Sequence, residues 1–246
     1  MEAIGPSLLQ ILQIIGVNIV LSGDNAVVIA MACRGLPARR RMLGMILGSG
    51  VAVGLRVVFT YLVVLLLATP FLKIVGGLLL LWIAVKLLVD GDDESDIPET
   101  DRLWYAVRTV AIADAVMSLD NVLAIAGVAR DSTFLLMLGL LISIPLIVAG
   151  AALIMALLDR FPIIVWAGAA LLGWIAGEML ITDPVVINML ADKPAFVRPD
   201  GMVPSMLKAT APFHYGASSI GAILVVLAGY LWKRRTPRAA DPVTRP

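Results

Sequence analysis

The sequence contains few of the side chains on which soluble enzymes and redox proteins depend. Among 246 residues there is one cysteine, Cys33, and one histidine, His214. A single cysteine excludes an intrachain disulfide and a cysteine-based metal cluster. Charged residues make up only 15% of the chain and the formal net charge is +1. Because no basic tract is interleaved with aromatic residues, nothing indicates nucleic-acid binding.

What the chain has instead is apolar sequence: 60% of its residues are hydrophobic and the mean hydropathy is +0.97. This composition predicts one polytopic membrane domain covering residues 1–246, all α-helical, because long apolar runs without strict alternation satisfy their backbone polar groups as helices. Seven runs are near the roughly 20 residues that cross the hydrocarbon core. The predicted spans are Leu8 to Ala32, Met42 to Ala68, Phe71 to Val89, Trp104 to Ala129, Phe134 to Leu158, Ile163 to Ile181 and Phe213 to Trp232.

The short loops indicate the orientation. Basic residues follow the first, fifth and seventh spans, namely Arg34, Arg39, Arg40, Arg41, Arg160, Lys233, Arg234, Arg235 and Arg238. The positive-inside rule places these loops in the cytoplasm. We therefore expect a bacterial-type inner (plasma) membrane protein with its N-terminus outside and its C-terminus inside. The first span lacks the features of a cleavable signal and should remain as a helix. Residues 182–211 form a predicted external loop, with a short helix at Val185 to Leu190.

An acidic and amide-rich motif occurs twice within these apolar runs. Residues 18–25 read Asn-Ile-Val-Leu-Ser-Gly-Asp-Asn, and residues 114–121 read Asp-Ala-Val-Met-Ser-Leu-Asp-Asn. An ionisable residue inside the membrane is costly and is by default a candidate ion or substrate site. The first copy lies in span one and the second in span four.

The duplication extends beyond the motif. Residues 76–88 of span three match residues 168–180 of span six, including a shared Trp-Ile-Ala. Residues 8–89 and 104–181 are therefore predicted repeats of three spans each, with span seven (213–232) outside them. Because each repeat crosses the membrane an odd number of times, the second enters from the opposite face. Inverted repeats of this kind place transport sites near the midplane; duplication kept only for packing is the alternative.

Helical geometry predicts that the two motifs form two layers between spans one and four. The inner layer comprises Asp24, Asn25 and Asp114, and the outer layer comprises Asn18, Asp120 and Asn121. Carboxylate and amide oxygens without histidine or cysteine suit the hard cations manganese, magnesium and calcium. Hydrogen bonding between helices is the structural alternative for these residues.

Other polar residues have two interpretations each. Arg56, deep in span two, is expected to pair with a motif aspartate, either as a counter-ion of the empty site or in a static salt bridge. Ser22 and Ser118 either support the site or bond neighbouring helices. Glu178, near a span end, either extends to the interface or contributes to an outer exit path. His214 is either interfacial or a proton sensor.

At these motifs the chain resembles the TerC family of integral membrane proteins, in particular its short YjbE-like branch, which is related to the LysE superfamily. The resemblance covers nearly the whole chain. It implies manganese efflux, and it carries the family's acidic motif residues over to Asp24 and Asp120, with Asn25, Asn121 and Asp114 nearby.

The expected function is export of a divalent cation, which the resemblance narrows to manganese, with no permanent cofactor and no enzymatic activity. Partners would be the metal ion, the lipid bilayer and a proton or sodium counter-ion, since no Walker-type phosphate loop is present. The oligomeric state stays open. Alternatives are a LysE-type exporter of amino acids or other small solutes, a non-transporting accessory that delivers metal at the translocation machinery, and an intramembrane aspartyl hydrolase.

Overall fold

A computed structural model of the chain describes residues 23–89, 98–129, 133–199 and 207–235, with side chains except at 60, 61, 63–68 and 119–143. These residues are mostly helical, with eight helices and one two-stranded sheet. The elements are α1 (Gly23–Cys33), α2 (Ala38–Ala68), α3 (Leu72–Val89), α4 (Glu99–Ala129), α5 (Thr133–Arg160), α6 (Ile163–Ile181), α7 (Pro184–Met189), β1 (Val197–Pro199), β2 (Leu207–Ala209) and α8 (Ala211–Arg235).

The structure confirms an α-helical membrane protein. Within the described residues, four helical segments are long and apolar enough to cross a membrane: Ala38–Phe59 in α2, all of α3, all of α6 and all of α8. Helices α4 and α5 coincide with predicted spans four and five. Predicted span one begins at Leu8, so most of it precedes the described residues, and the total of seven spans stays a prediction.

The long helices form two groups. Helices α1, α2, α4 and α5 pack against one another, and α3, α6 and α8 pack against one another. Fewer contacts join the groups, mainly those of α3 with α4 and of α1 with α6. Apolar side chains from both groups share one core, in which Ile29, Leu80 and Leu172 are fully buried.

Small residues allow α6 and α8 to approach closely. A Cβ atom added to Gly173 would lie 2.6 Å from the backbone oxygen of Gly221. One turn further along α6, a Cβ on Gly177 would collide with the backbone oxygen of Ala217. Close backbone packing at small residues is a usual way to hold helices together in lipid, where the hydrophobic effect gives little driving force between them.

The segment after α6 is ordered rather than a plain loop. It contains helix α7, which covers most of the predicted short helix, and an antiparallel pairing of β1 with β2. A small apolar cluster supports it, consisting of Ile181, Ile187, Val197 and Ala209 with Leu190, Phe213 and Ala217 around them.

Asp183 joins the end of α6 to the start of α3. Its fully buried carboxylate accepts the backbone N–H of Val185 at 2.9 Å, capping α7. The same carboxylate accepts from the backbone N–H groups of Phe71 at 3.4 Å, Lys73 at 3.2 Å and Ile74 at 3.3 Å. Phe71 adopts φ 64°, the left-handed region. One side chain thus satisfies the free N–H groups of two helix starts.

Candidate cation site

The centre of the candidate site is an ion pair between Arg56 of α2 and Asp114 of α4. Arg56 Nη2 lies 2.7 Å from Asp114 Oδ1. Both residues are buried, with relative exposures of 1% and 3%. Sequence reasoning expected Arg56 to pair with a motif aspartate, and the structure gives Asp114 as that partner. Buried charges are tolerated when paired and hydrogen-bonded, as here.

Ser118 engages the second oxygen of the same carboxylate. Its Oγ donates to Asp114 Oδ2 at 3.0 Å from one helical turn further along α4. Residues four apart share a helix face, so this contact follows from the sequence spacing. Asp114 is therefore oriented from two sides, by a guanidinium on a neighbouring helix and by a hydroxyl on its own.

Asp24 and Asn25 bring the first motif to the same region. They lie in the first turn of α1, which packs against α4. Asn25 is buried, and its backbone N–H donates to Asp24 Oδ1 at 2.8 Å. Helix α1 also packs against α2, which carries Arg56. Helices α1, α2 and α4 together supply an oxygen-rich, charged group inside an apolar bundle.

The described residues include only part of the predicted site. Of the predicted inner layer, Asp24 and Asn25 lie in α1 and Asp114 lies in α4, and these two helices contact each other. Asn18 and Ser22 precede the described residues. The side chains at 120 and 121 fall outside the described set, although their backbone belongs to α4. Among the described side chains, no three His, Cys, Asp or Glu residues gather as a metal-binding group.

Glu178 lies apart from this region, on α6 where that helix contacts α8. Its Oε1 is 2.9 Å from His214 Nε2, and both side chains are partly exposed. Tyr215 packs next to them, with its ring centroid 6.1 Å from that of Trp174. Sequence reasoning interpreted Glu178 and His214 separately and did not predict their pairing.

Comparison with known proteins assigns the chain to a family. The family described as integral membrane protein TerC matches residues 5–237. The chain belongs to the TerC family. In Bacillus subtilis (strain 168), the membrane protein YjbE is 43% identical over 176 residues, covering 72% of this chain and 81% of YjbE. The B. subtilis membrane protein YceF is 27% identical over 169 residues, covering 65% of each chain. No solved structure matches the chain significantly.

Two further ion pairs of this TerC-family chain were not expected from its sequence. Arg41 lies 2.6 Å from Asp159 at the end of α5, and Arg40 lies 3.3 Å from Glu99 at the start of α4. Arg41 Nε also donates to the backbone oxygen of Leu36 at 3.1 Å. The arginine-rich start of α2 is therefore joined to the start of α4 and to the end of α5.

Proposed function

We propose that this TerC-family protein exports a divalent cation, manganese, from the cytoplasm through a site between α1 and α4. The observation that carries the proposal is the buried Asp114 carboxylate on α4, a helix that packs against α1, which begins with Asp24 and the buried Asn25. A membrane protein rarely buries carboxylates at a helix contact unless they serve an ion or substrate pathway.

The helix pairing supports the inverted repeat on which the mechanism depends. Exchanging α1, α2 and α3 for α4, α5 and α6 turns most of the observed contacts among these helices into other observed contacts, the exception being the small α5–α6 contact. The α2–α4 contact becomes α5–α1, α3–α4 becomes α6–α1 and α1–α2 becomes α4–α5; α1–α4, α2–α5 and α3–α6 map onto themselves. A pseudo-twofold axis would produce this pattern. It favours seven spans, with α8 added to two three-span repeats and the site near the axis.

The chemistry of the side chains determines the class of substrate. Carboxylate and amide oxygens from Asp24, Asn25 and Asp114, joined by Asn18, Asp120 and Asn121 in the proposed full site, favour hard cations. The choice of manganese among these cations rests on the resemblance to the family. Since the sequence has no phosphate-binding loop, we propose exchange for protons or sodium, which separately imposed gradients would distinguish.

The test is manganese flux in proteoliposomes that contain the purified protein. We expect Asp24→Asn and Asp120→Asn each to lower uptake by at least about tenfold, because each removes an anionic ligand. Asp159→Asn is the matched control, since Asp159 pairs with Arg41 at a helix end far from the motifs in sequence. Flux that survives both motif substitutions contradicts the proposal. Bound manganese without flux in the wild type favours the metal-delivery accessory instead.

A further inference from the structure

We propose that Arg56 sets the charge of the cation that the site prefers, by cancelling one carboxylate charge within it. Arg56 is then a specificity-determining residue, which favours divalent over trivalent ions. The inference rests on the proposed cation site and assigns a role to the basic member of the buried ion pair.

The first argument is the way in which the two repeats differ. Asp114 of the second motif corresponds to the uncharged Asn18 of the first. Arg56 of span two corresponds to residues 148–152 of span five, which read Val-Ala-Gly-Ala-Ala. Among the described side chains, Arg56 is thus a buried charge without a counterpart in the second repeat, and Asp114 is a buried charge without a counterpart in the first. These two departures from the repeat pattern have opposite sign.

The second argument is that Arg56 and Asp114, the two residues that depart from the repeat pattern, are in contact. Arg56 Nη2 lies 2.7 Å from Asp114 Oδ1, and the two residues belong to different repeats. The added carboxylate and the added guanidinium thus form one neutral unit. The motif aspartates that occur in both repeats, Asp24 and Asp120, together carry the charge that one divalent cation balances.

The third argument is electrostatic. Asp24 lies in the first turn of α1, which packs against α2, the helix of Arg56, and against α4, the helix of Asp114, so the charge of the guanidinium acts on Asp24 as well as on its direct partner. In a partly buried site, one unit of charge acting over several ångströms changes binding by roughly one to two orders of magnitude for each unit of ligand charge. Loss of the guanidinium therefore favours a trivalent ion over a divalent one of similar size.

The experiment compares terbium(III) and manganese(II) binding to purified protein in detergent, using terbium luminescence and manganese competition. The variants are Arg56→Gln, Asp114→Asn, the double variant and Arg56→Lys. Arg41→Gln is the matched control, because it removes an arginine from an ion pair at a helix end. Each variant is first checked for a monodisperse elution profile. The quantity compared is the ratio of manganese to terbium dissociation constants.

We expect Arg56→Gln to raise this ratio by about 10- to 100-fold in favour of terbium. Asp114→Asn should shift it the other way, and the double variant should return it towards the wild-type value. Arg56→Lys, which keeps the charge, and Arg41→Gln should leave it unchanged. An unmoved ratio in a folded Arg56→Gln variant that still binds metal overturns the inference. Failure of the folded wild type to bind either ion contradicts the proposed cation site itself.

Discussion

Asp114 and Asp183 are both buried carboxylates, but their partners differ in kind. Asp114 faces a guanidinium and a serine hydroxyl, so its partners are side chains, which can change rotamer without unwinding a helix. Asp183 accepts from the backbone N–H groups of two helix starts, which cannot leave without unwinding those helices. The first arrangement suits a binding site and the second suits a fixed structural joint.

Replacing Asp183 tests the structural joint. Asp183→Ala removes the cap of α7 and the acceptor for the start of α3, and it leaves buried N–H groups without that acceptor. We expect the free energy of unfolding to fall by about 2–4 kcal/mol. Thermal unfolding in detergent, compared with Asp192→Ala, measures the effect, because Asp192 is exposed in the same segment. Equal stability of the two variants would contradict the proposed joint.

Sequence reasoning predicted a role for Asp114 and missed the role of Asp183. Arg56 is the basic residue deepest in a predicted span, so a partner among the motif aspartates follows from the cost of burying charge. Asp183 precedes a proline, which is a usual sign of a helix start. Its other hydrogen bonds are to residues distant in the chain, such as Phe71, which lies 112 positions earlier. No local pattern predicts them.

At the scale of elements, the glycines of α6 determine how closely α8 can pack. The spacing of Gly173 and Gly177 is the small-xxx-small pattern that predicts a tight helix contact in membranes. The sequence does not say which helix supplies the opposite side. In the structure, the helix on the opposite side is α8, whose Gly221 lies against Gly173.

A single methyl group should therefore disturb this contact. In Gly177→Ala the new Cβ meets the backbone oxygen of Ala217, so α6 and α8 must separate. We expect a loss of about 1–3 kcal/mol from overpacking. Gly216→Ala is the control, because a Cβ there has nothing within 4 Å, and it should be neutral or slightly stabilising. Unfolding in a denaturing detergent series compares them. A smaller loss in Gly177→Ala than in Gly216→Ala would contradict this packing.

For the whole molecule, the two helix groups divide the chain differently from the two proposed repeats. The group of α1, α2, α4 and α5 contains Asp24, Arg56 and Asp114, with two helices from each repeat. The group of α3, α6 and α8 is joined by glycine contacts and by Asp183. We expect alternating access to move one group relative to the other, because fewer contacts connect the groups than hold each together.

The proposed orientation can be checked with cysteine labelling. Cys33 is fully buried, so wild-type protein should give no background with a membrane-impermeant maleimide. We expect Asp192→Cys to react in intact cells and Arg39→Cys to react only after permeabilisation, since the proposed orientation puts the arginine-rich start of α2 in the cytoplasm. Both replaced residues are exposed. The reverse pattern would invert the assignment of inside and outside.

Hydropathy was enough to locate most of the long helices, because crossing lipid requires length and apolar composition and little else. Helix pairing was less accessible. Lipid-facing and helix-facing residues are equally apolar, as Leu78 with 56% exposure and Leu80 with 0% illustrate on the same helix. Because residues in both environments are apolar, hydropathy alone does not reveal which helix packs against which. The repeat and its charged motif supplied the information that hydropathy lacked.

The contacts of Asp183 also have a consequence for biosynthesis. The ribosome makes the start of α3 more than 100 residues before it makes Asp183, as the separation of 112 residues from Phe71 shows. Helix α3 must therefore enter the membrane before the Asp183 carboxylate, which accepts from its first N–H groups, has been synthesised. The first half of the molecule is completed only when the second half has been translated. Truncation after α5 would leave an unfinished first half as well as a missing second one.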